Sequence, residues 1–389
     1  MLKYNEGIQM KKFFKYFTYS LITIICLIVI IALSMIGEGI YHYKNDKQNQ
    51  IDKIAELEEL YASSEYASVS EMSFADFQVA DYPNIKLNEY QYLTTHNSYK
   101  PDMLFTFKYF FRFSGIRNAF DYPRRGLEYK HNTLTDQLEM GIRGFEIDLN
   151  NTVIDGVNTF ESYHINVVDM RSNCINLELT LKELKLYSEN NPDHLPITIV
   201  MQQKNEAAIM PNVEKFDLTA MQALDEIVAE NLGEQLITPR DILSISEESD
   251  YSSLRTNDNW PTLDELKGKI IVLAYQGTAT YEWLDTDTTL LSFSMFPMLK
   301  YADLETYDCG TFLSVHKGSD LEIADYVSQN YIIRTEIDSY QDIDEFRKEN
   351  AISSGAQLLY GDYPPKINGT DEYISYLDDD NHTVIRNDS

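Results

Sequence analysis

An α/β chain closed into a TIM-type (β/α)8 barrel is the fold class this sequence predicts, on three observations. From Leu87 onward, short apolar strand-like runs alternate with amphipathic segments of helical spacing, which implies parallel pairing through helical crossovers. About eight such units occur, the number that closes a barrel. The polar residues that could carry chemistry follow strand-like runs, where a parallel barrel has its mouth. The alternative, an open doubly wound sheet, finds neither a Gly-x-Gly-x-x-Gly fingerprint nor a Walker loop to supply its usual phosphate site.

Taken in order, the chain begins with Lys11, Lys12 and Lys15 ahead of an uncharged run over residues 16–36. As a helix those residues span about 31 Å, the thickness of a bilayer's hydrocarbon core. The lysines on the N-terminal side place residues 1–15 in the cytoplasm and everything after residue 36 outside. A cleaved signal peptide is the rival reading, but its apolar core is shorter, about 7–15 residues, and ends at an Ala-x-Ala-like site that Ala32-Leu-Ser34 matches poorly. The expectation is therefore a retained transmembrane signal-anchor at 16–36, with a secreted form after cleavage as the alternative. Residues 37–83, polar and rich in Glu and Ser, read as a solvated stalk, and residues 84–389 as the barrel.

Strands are expected at 90–95, 143–149, 160–165, 197–202, 269–275, 311–315, 331–334 and 357–360. Helices are expected at 133–140, 177–189, 218–230, 321–329 and 342–353, with Asp217 as the cap of the third. The 389 residues carry 32 Lys+Arg against 62 Asp+Glu, a formal charge of −30. Such a body repels nucleic acid, which is excluded as a partner, and it resists bare anionic membranes. Three cysteines build no disulfide framework. Cys174 and Cys309 are expected to be inert thiols, with pairing as the alternative.

The chemistry centres on the strand at 143–149. Phe145, Ile147 and Leu149 fall on one side and Glu146 and Asp148 on the other, the two carboxylates about 7 Å apart. Two carboxylates on a hidden face need a cation. His96 and Asn97 end the first strand, His164 the third, and Gln202 to Lys204 the fourth, so that four consecutive strands deliver polar groups to one mouth. Asn97, Glu146 and Asp148 are hard oxygen donors, suited to Ca²⁺, or less readily Mg²⁺, rather than Zn²⁺. Two histidines beside such a cation suit phosphodiester cleavage: one takes a proton from the attacking hydroxyl and the other gives one to the leaving oxygen. His131, His194 and His316 read as structural.

The runs Leu93-Thr-Thr-His-Asn-Ser-Tyr99 and Leu134-Thr-Asp-Gln-Leu-Glu-Met-Gly-Ile-Arg-Gly-Phe-Glu-Ile-Asp-Leu149 resemble the Ca²⁺-dependent phosphoinositide-specific phospholipase C family, within the PLC-like phosphodiesterases, and above all its bacterial secreted branch. The resemblance continues through Asn191-Pro-Asp-His-Leu-Pro-Ile197, Ile237-Thr-Pro-Arg-Asp-Ile-Leu243, the segment from Trp260 to Lys269, Arg334-Thr335, Asp338 and Ser354-Gly-Ala-Gln-Leu-Leu-Tyr-Gly-Asp-Tyr-Pro364. It implies a TIM-type barrel, His96 at the phosphate as one catalytic histidine, and His164 as the second. It further implies Asn97, Glu146 and Asp148 as calcium ligands, and attack by the inositol 2-hydroxyl to give a cyclic phosphate. One position departs: in Met201-Gln-Gln-Lys204 the expected acidic residue is Gln202, a metal ligand without charge. Lys204 is expected to touch phosphate or inositol.

The substrate expected is a phosphoinositide or a soluble inositol phosphodiester. The alternatives are a glycerophosphodiester phosphodiesterase and a catalytically degenerate barrel that binds a headgroup.

Overall fold

The strand register explains why this chain closes into a barrel. The computed structural model describes residues 2–70, 73–108, 129–166, 169–205, 212–317, 322–339, 345–362 and 376–387. Its strands are β1 (Tyr90–Thr95), β2 (Gly144–Ile154), β3 (Val157–Glu161), β4 (Ile197–Gln203), β5 (Val213–Glu214), β6 (Ile270–Tyr275), β7 (Phe296–Leu299), β8 (Phe312–Lys317), β9 (Ile332–Glu336), β10 (Leu358–Gly361) and β11 (Val384–Arg386). Eight of them, β1, β2, β4 and β6 to β10, pair in parallel in that order. The ring closes where β10 returns to β1, with Leu358 opposite Tyr92. Gly144 makes the β1–β2 crossing possible, because a Cβ there would sit 2.1 Å from Thr94 Cγ2.

One expected strand is not in the barrel, and one barrel strand has no counterpart in the expectation. The run at 160–165 is not a barrel strand. Beyond Leu149, β2 continues past the rim, and β3 folds back on it antiparallel, Asn150 opposite Glu161 and Ile154 opposite Val157. The missing strand is β7, four residues with Pro297 inside and no alternation to betray them. The long N-terminal helix α1 (Leu2–Ala62) precedes the barrel, and α2 (Leu134–Leu138), α3 (Leu177–Asn190) and α4 (Leu218–Leu232) lie in crossovers between its strands. Asp217 caps α4 as expected, its Oδ1 accepting the Ala220 N–H at 2.8 Å. Leu321, Asp342 to Asp344, and Tyr363-Pro364 lie outside the described residues.

The segment read as a solvated stalk is instead packed on the barrel. α1 runs unbroken from the apolar run into that segment, and its residues at helical spacing face the barrel. Asp46 takes a bidentate ion pair from Arg171 at 2.9 and 3.0 Å. Gln50 bonds Asn176 and Thr180, Lys53 meets Asp136 at 3.3 Å, and Ile54 and Leu57 are buried. Residues 51–61 do show helical spacing, but the polar residues at 44–50 and the many Glu that follow make the segment read as solvated. The same helix is long and apolar enough to cross a membrane, and only 6% of its most apolar window is buried. Cys174 and Cys309 are both free thiols, so the alternative of a bridge is set aside.

Two buried histidines hold the frame neutral. His131 Nε2 donates to the His96 carbonyl at 2.8 Å, while its buried Nδ1 has no hydrogen-bond partner among the described residues. Burial lowers His131 to about 4 and His194 to about 3. Above an ordinary histidine value near 6.5, folded and unfolded chains alike carry neutral rings. As the pH falls from there toward 4, only the unfolded chain takes up the two protons, so stability drops by up to ~2.7 kcal/mol per pH unit from this pair. Urea midpoints at pH 7.5 and 5 should show the fall, and His131→Gln should remove about half of this pair's share.

Candidate active site

The mouth is built from the turn after β1 outward. His96 N donates to Gly361 O at 3.0 Å and Ser98 N to Glu146 O at 2.9 Å, while Glu146 N donates to Ser98 Oγ at 2.8 Å. These bonds lock the turn between β10 and β2. Asn97 takes φ +48 there, a left-handed conformation that Asn tolerates.

Each catalytic candidate histidine has a buried carboxylate of its own. His96 Nδ1 meets Asp362 Oδ1 at 2.7 Å, and its ring stacks on Tyr129 with centroids 5.7 Å apart. Burial opposes protonation of His96, but the Glu146 and Asp362 carboxylates outweigh it and raise the ring to about 9. Its side chain is 36% exposed, so a ligand in the mouth can reach it. His164 Nδ1 meets Asp169 Oδ2 at 3.1 Å, and the buried Lys100 ammonium lies 3.4 Å from the same oxygen. Burial works against the Asp169 charge, yet Lys100 and His164 hold its carboxyl below the usual range. His164 therefore comes from the loop after β3, fixed by the Ile165–Asp169 bridge, and not from the end of a third barrel strand.

Between the histidines stand the β2 carboxylates. Glu146 is ion-paired with Arg334 of β9, both side chains buried, and the guanidinium lies over the Tyr360 ring at 3.8 Å. Asp148 sits opposite Gln202 in the β2–β4 register. Its Oδ2 receives Lys204 Nζ at 2.8 Å and the Tyr99 hydroxyl at 2.7 Å. That hydroxyl is also 3.0 Å from Asn97 Oδ1, and Lys204 is 3.4 Å from Gln202 Oε1. Burial raises the Glu146 pKa, but the charges of Arg334 and then His96 overturn this and hold it low. For Asp148, burial and repulsion from Glu146 prevail over Lys204 and push the carboxyl up.

All seven residues expected from the sequence thus meet at one mouth: His96, Asn97, Glu146, Asp148, His164, Gln202 and Lys204. Sequence reasoning missed the groups that hold them. Asp169, Lys100 and Tyr129 carry no signal in the sequence, and Tyr99 and Arg334 are legible only as parts of motifs without a role. Asp362, which in the sequence reads as ending the last strand and as shaping the rim or touching substrate, is the partner of His96. Arg143 lies at the opposite end, buried, donating to Leu138 O and Ile142 O.

The donor set can be tested against a hard cation. Asn97, Glu146, Asp148 and Gln202 supply oxygens, and the buried Asp148 Oδ1 has no hydrogen-bond partner among the described residues, as an oxygen reserved for a cation would. Among the described residues no group of three or more His, Cys, Asp or Glu is placed to hold a metal. A site here rests on two carboxylates and two amides, with Arg334 and Lys204 already on the carboxylates. The residues fit Ca²⁺ in kind, at a reduced charge.

The parallel eight-stranded barrel that carries this mouth has the PLC-like architecture. The family model described as phosphoinositide phospholipase C, Ca²⁺-dependent, matches residues 85–157 and 155–387. The chain belongs to that family, and it is an enzyme of the phosphodiesterase kind. Solved structures share the fold. A calcium-dependent phosphoinositol-specific phospholipase C from a Pseudomonas species, in a myo-inositol complex, is 16% identical with a TM-score of 0.55, over 81% of this chain and 98% of that one. A Ca²⁺-dependent phosphatidylinositol-specific enzyme from Streptomyces antibioticus is 14% identical with a TM-score of 0.51, over 72% and 95%. No curated protein matches the sequence.

Proposed function

We propose that the protein is a phospholipase C, anchored by α1 with its barrel outside the cell membrane, that cleaves phosphatidylinositol or a related inositol phosphodiester. The observation that carries this reading is the pairing of His96 with Asp362 and of His164 with Asp169, each histidine acting electrostatically on one carboxylate of β2. Family membership and the myo-inositol bound to the Pseudomonas enzyme support the substrate class.

In this mechanism His96, protonated near neutral pH, donates from Nε2 to a phosphate oxygen. The inositol 2-hydroxyl attacks phosphorus, and its proton passes to Asp148, the β2 carboxylate whose basicity burial raises. The new O–P bond forms as the bond from phosphorus to the glycerol oxygen breaks, and His164 gives a proton to that leaving oxygen. Ring closure within one bound molecule supplies much of the rate through positioning. Ca²⁺, held by Asn97, Glu146, Asp148 and Gln202, supplies positive charge at the phosphate when bound. Lys204 offers a further cation beside the same oxygens.

The test uses the full chain in detergent with phosphatidylinositol and a soluble inositol phosphodiester, followed by ³¹P NMR with Ca²⁺ and then with chelator. A cyclic phosphate signal that chelator removes supports the whole reading. Turnover that survives chelation moves the charge-stabilising role to Lys204 and Arg334. Turnover of glycerophosphodiesters alone, or of nothing, sinks the reading. Gln202→Glu restores a charged donor and should tighten Ca²⁺ about tenfold or more by calorimetry, since affinity in such sites follows ligand charge.

A further inference from the structure

The direction in which α1 crosses the barrel decides where the mouth faces. At its early end Met35 packs with Met103, Leu104 and Phe107, the rim turn after β1. Glu38 caps that turn, its carboxylate accepting the Phe105 and Thr106 N–H groups at 2.7 and 2.8 Å. One turn later Tyr43 reaches Glu161 at 2.5 Å and packs with Tyr163, Met170 and Ile175, beside His164. Just past the far end of the helix, at Ala62, the chain touches the base of the barrel. Tyr66 Oη and Val69 N both bond Asn191 Oδ1 at 2.8 Å, in the loop that enters β4. The docked stretch from Met35 to Tyr61 is about 39 Å long, enough to run from mouth to base. The apolar run at 16–36 therefore leaves the barrel on the mouth side, as an unbroken continuation of the docked helix.

The geometry points to α1 as a rigid strut that holds the mouth against the outer leaflet of the membrane it crosses, with the rim turn 103–107 bedded in the lipid interface. This inference rests on the anchor reading above and goes beyond it: a membrane anchor alone leaves the barrel free to tumble, whereas this one fixes its orientation. Phe105, 63% exposed on that turn beside the end of the apolar run, is the side chain in position to enter the interface. Charge makes the strut necessary. A body this acidic is repelled by anionic lipid, so an untethered barrel would rarely present its mouth to a phosphoinositide surface. Held by α1, it draws lipid substrate from its own membrane.

The experiment reconstitutes the full chain with Phe105→Trp in liposomes holding lipids brominated at shallow acyl positions. Trp260 and Trp283 are buried and serve as the unquenched background. The expected result is quenching of the new tryptophan, lost when a flexible six-residue Gly/Ser insert follows Gly37. With wild-type Phe105, the same insert should lower turnover of bilayer phosphatidylinositol about tenfold or more, as when an oriented encounter becomes a merely tethered one. Its turnover of a soluble inositol phosphodiester should stay unchanged, which shows that the barrel is intact. Quenching that persists with the insert overturns the strut, because the rim then holds the bilayer unaided. No quenching in a protein that resists alkaline extraction also overturns it. Release by alkaline carbonate instead defeats the anchor reading, and the strut falls with it. Loss of soluble turnover in the unmodified chain would count against the proposed chemistry and leave the quenching result to decide the orientation.

Discussion

Replacing His96 with alanine should lower turnover of phosphatidylinositol about 10³-fold, within the range for removal of a positioned acid–base group. The loss should fall on kcat, because the charge His96 presents to phosphate matters most as the phosphorus centre rearranges. Some destabilisation should accompany it, since Asp362 is 4% exposed and loses the imidazole 2.7 Å away. Asp362→Asn in the same chain separates the two effects: it should restore stability while leaving turnover low. His164→Ala makes a useful contrast. Asp169 still faces Lys100 at 3.4 Å, so that variant should lose similar activity and keep its fold. Initial rates on a soluble inositol phosphodiester, with urea unfolding of each variant, check both statements. Unchanged hydrolysis in His96→Ala would remove that residue from the chemistry.

What the sequence disclosed followed local pattern. Strands β1, β4, β6 and β8 to β10 stand within two residues of their expected bounds, because buried parallel strands read as apolar runs with clear ends. His96, Asn97, Glu146, Asp148, Gln202 and Lys204 were legible because a strand's end and its two-residue period assign faces without reference to the rest of the fold. His164 was found through a misplaced strand: the apolar run at 160–165 looks the same whether it enters the barrel or folds back as β3. The unread parts depend on closure. Arg334 follows Ile332 and Ile333 as an interruption of an apolar run, and only the ring of strands brings β9 across to Glu146. Asp169 and Lys100 are about 70 residues apart and meet only through two loops. The docked half of α1 reads as solvated because Asp46, Gln50 and Lys53 are polar, and their barrel partners cannot be inferred from spacing.

Arg334→Met should destabilise the fold by about 3–5 kcal/mol, the cost of leaving one member of a buried ion pair without the other. Glu146 is 6% exposed and stands two residues from Asp148 on the same face of β2, so removing the guanidinium strands its charge beside a like charge. Met keeps much of the stacking volume over Tyr360, which confines the effect to electrostatics. The double variant with Glu146→Gln should recover most of the lost stability, because residue 146 then carries no charge to strand. The same pair of variants tests the metal site without reading activity. In the wild type, Arg334 and Lys204 already neutralise the two carboxylates, so Ca²⁺ must compete with them. In Arg334→Met the competitor at Glu146 is gone, and millimolar Ca²⁺ should return about 2–3 kcal/mol of stability, the gain for a ligand near 100-fold above its Kd. Adding Glu146→Gln should abolish that response. A variant that unfolds alike with Ca²⁺ and with chelator would remove Glu146 from the ligand set and leave Arg334 as its permanent counter-ion.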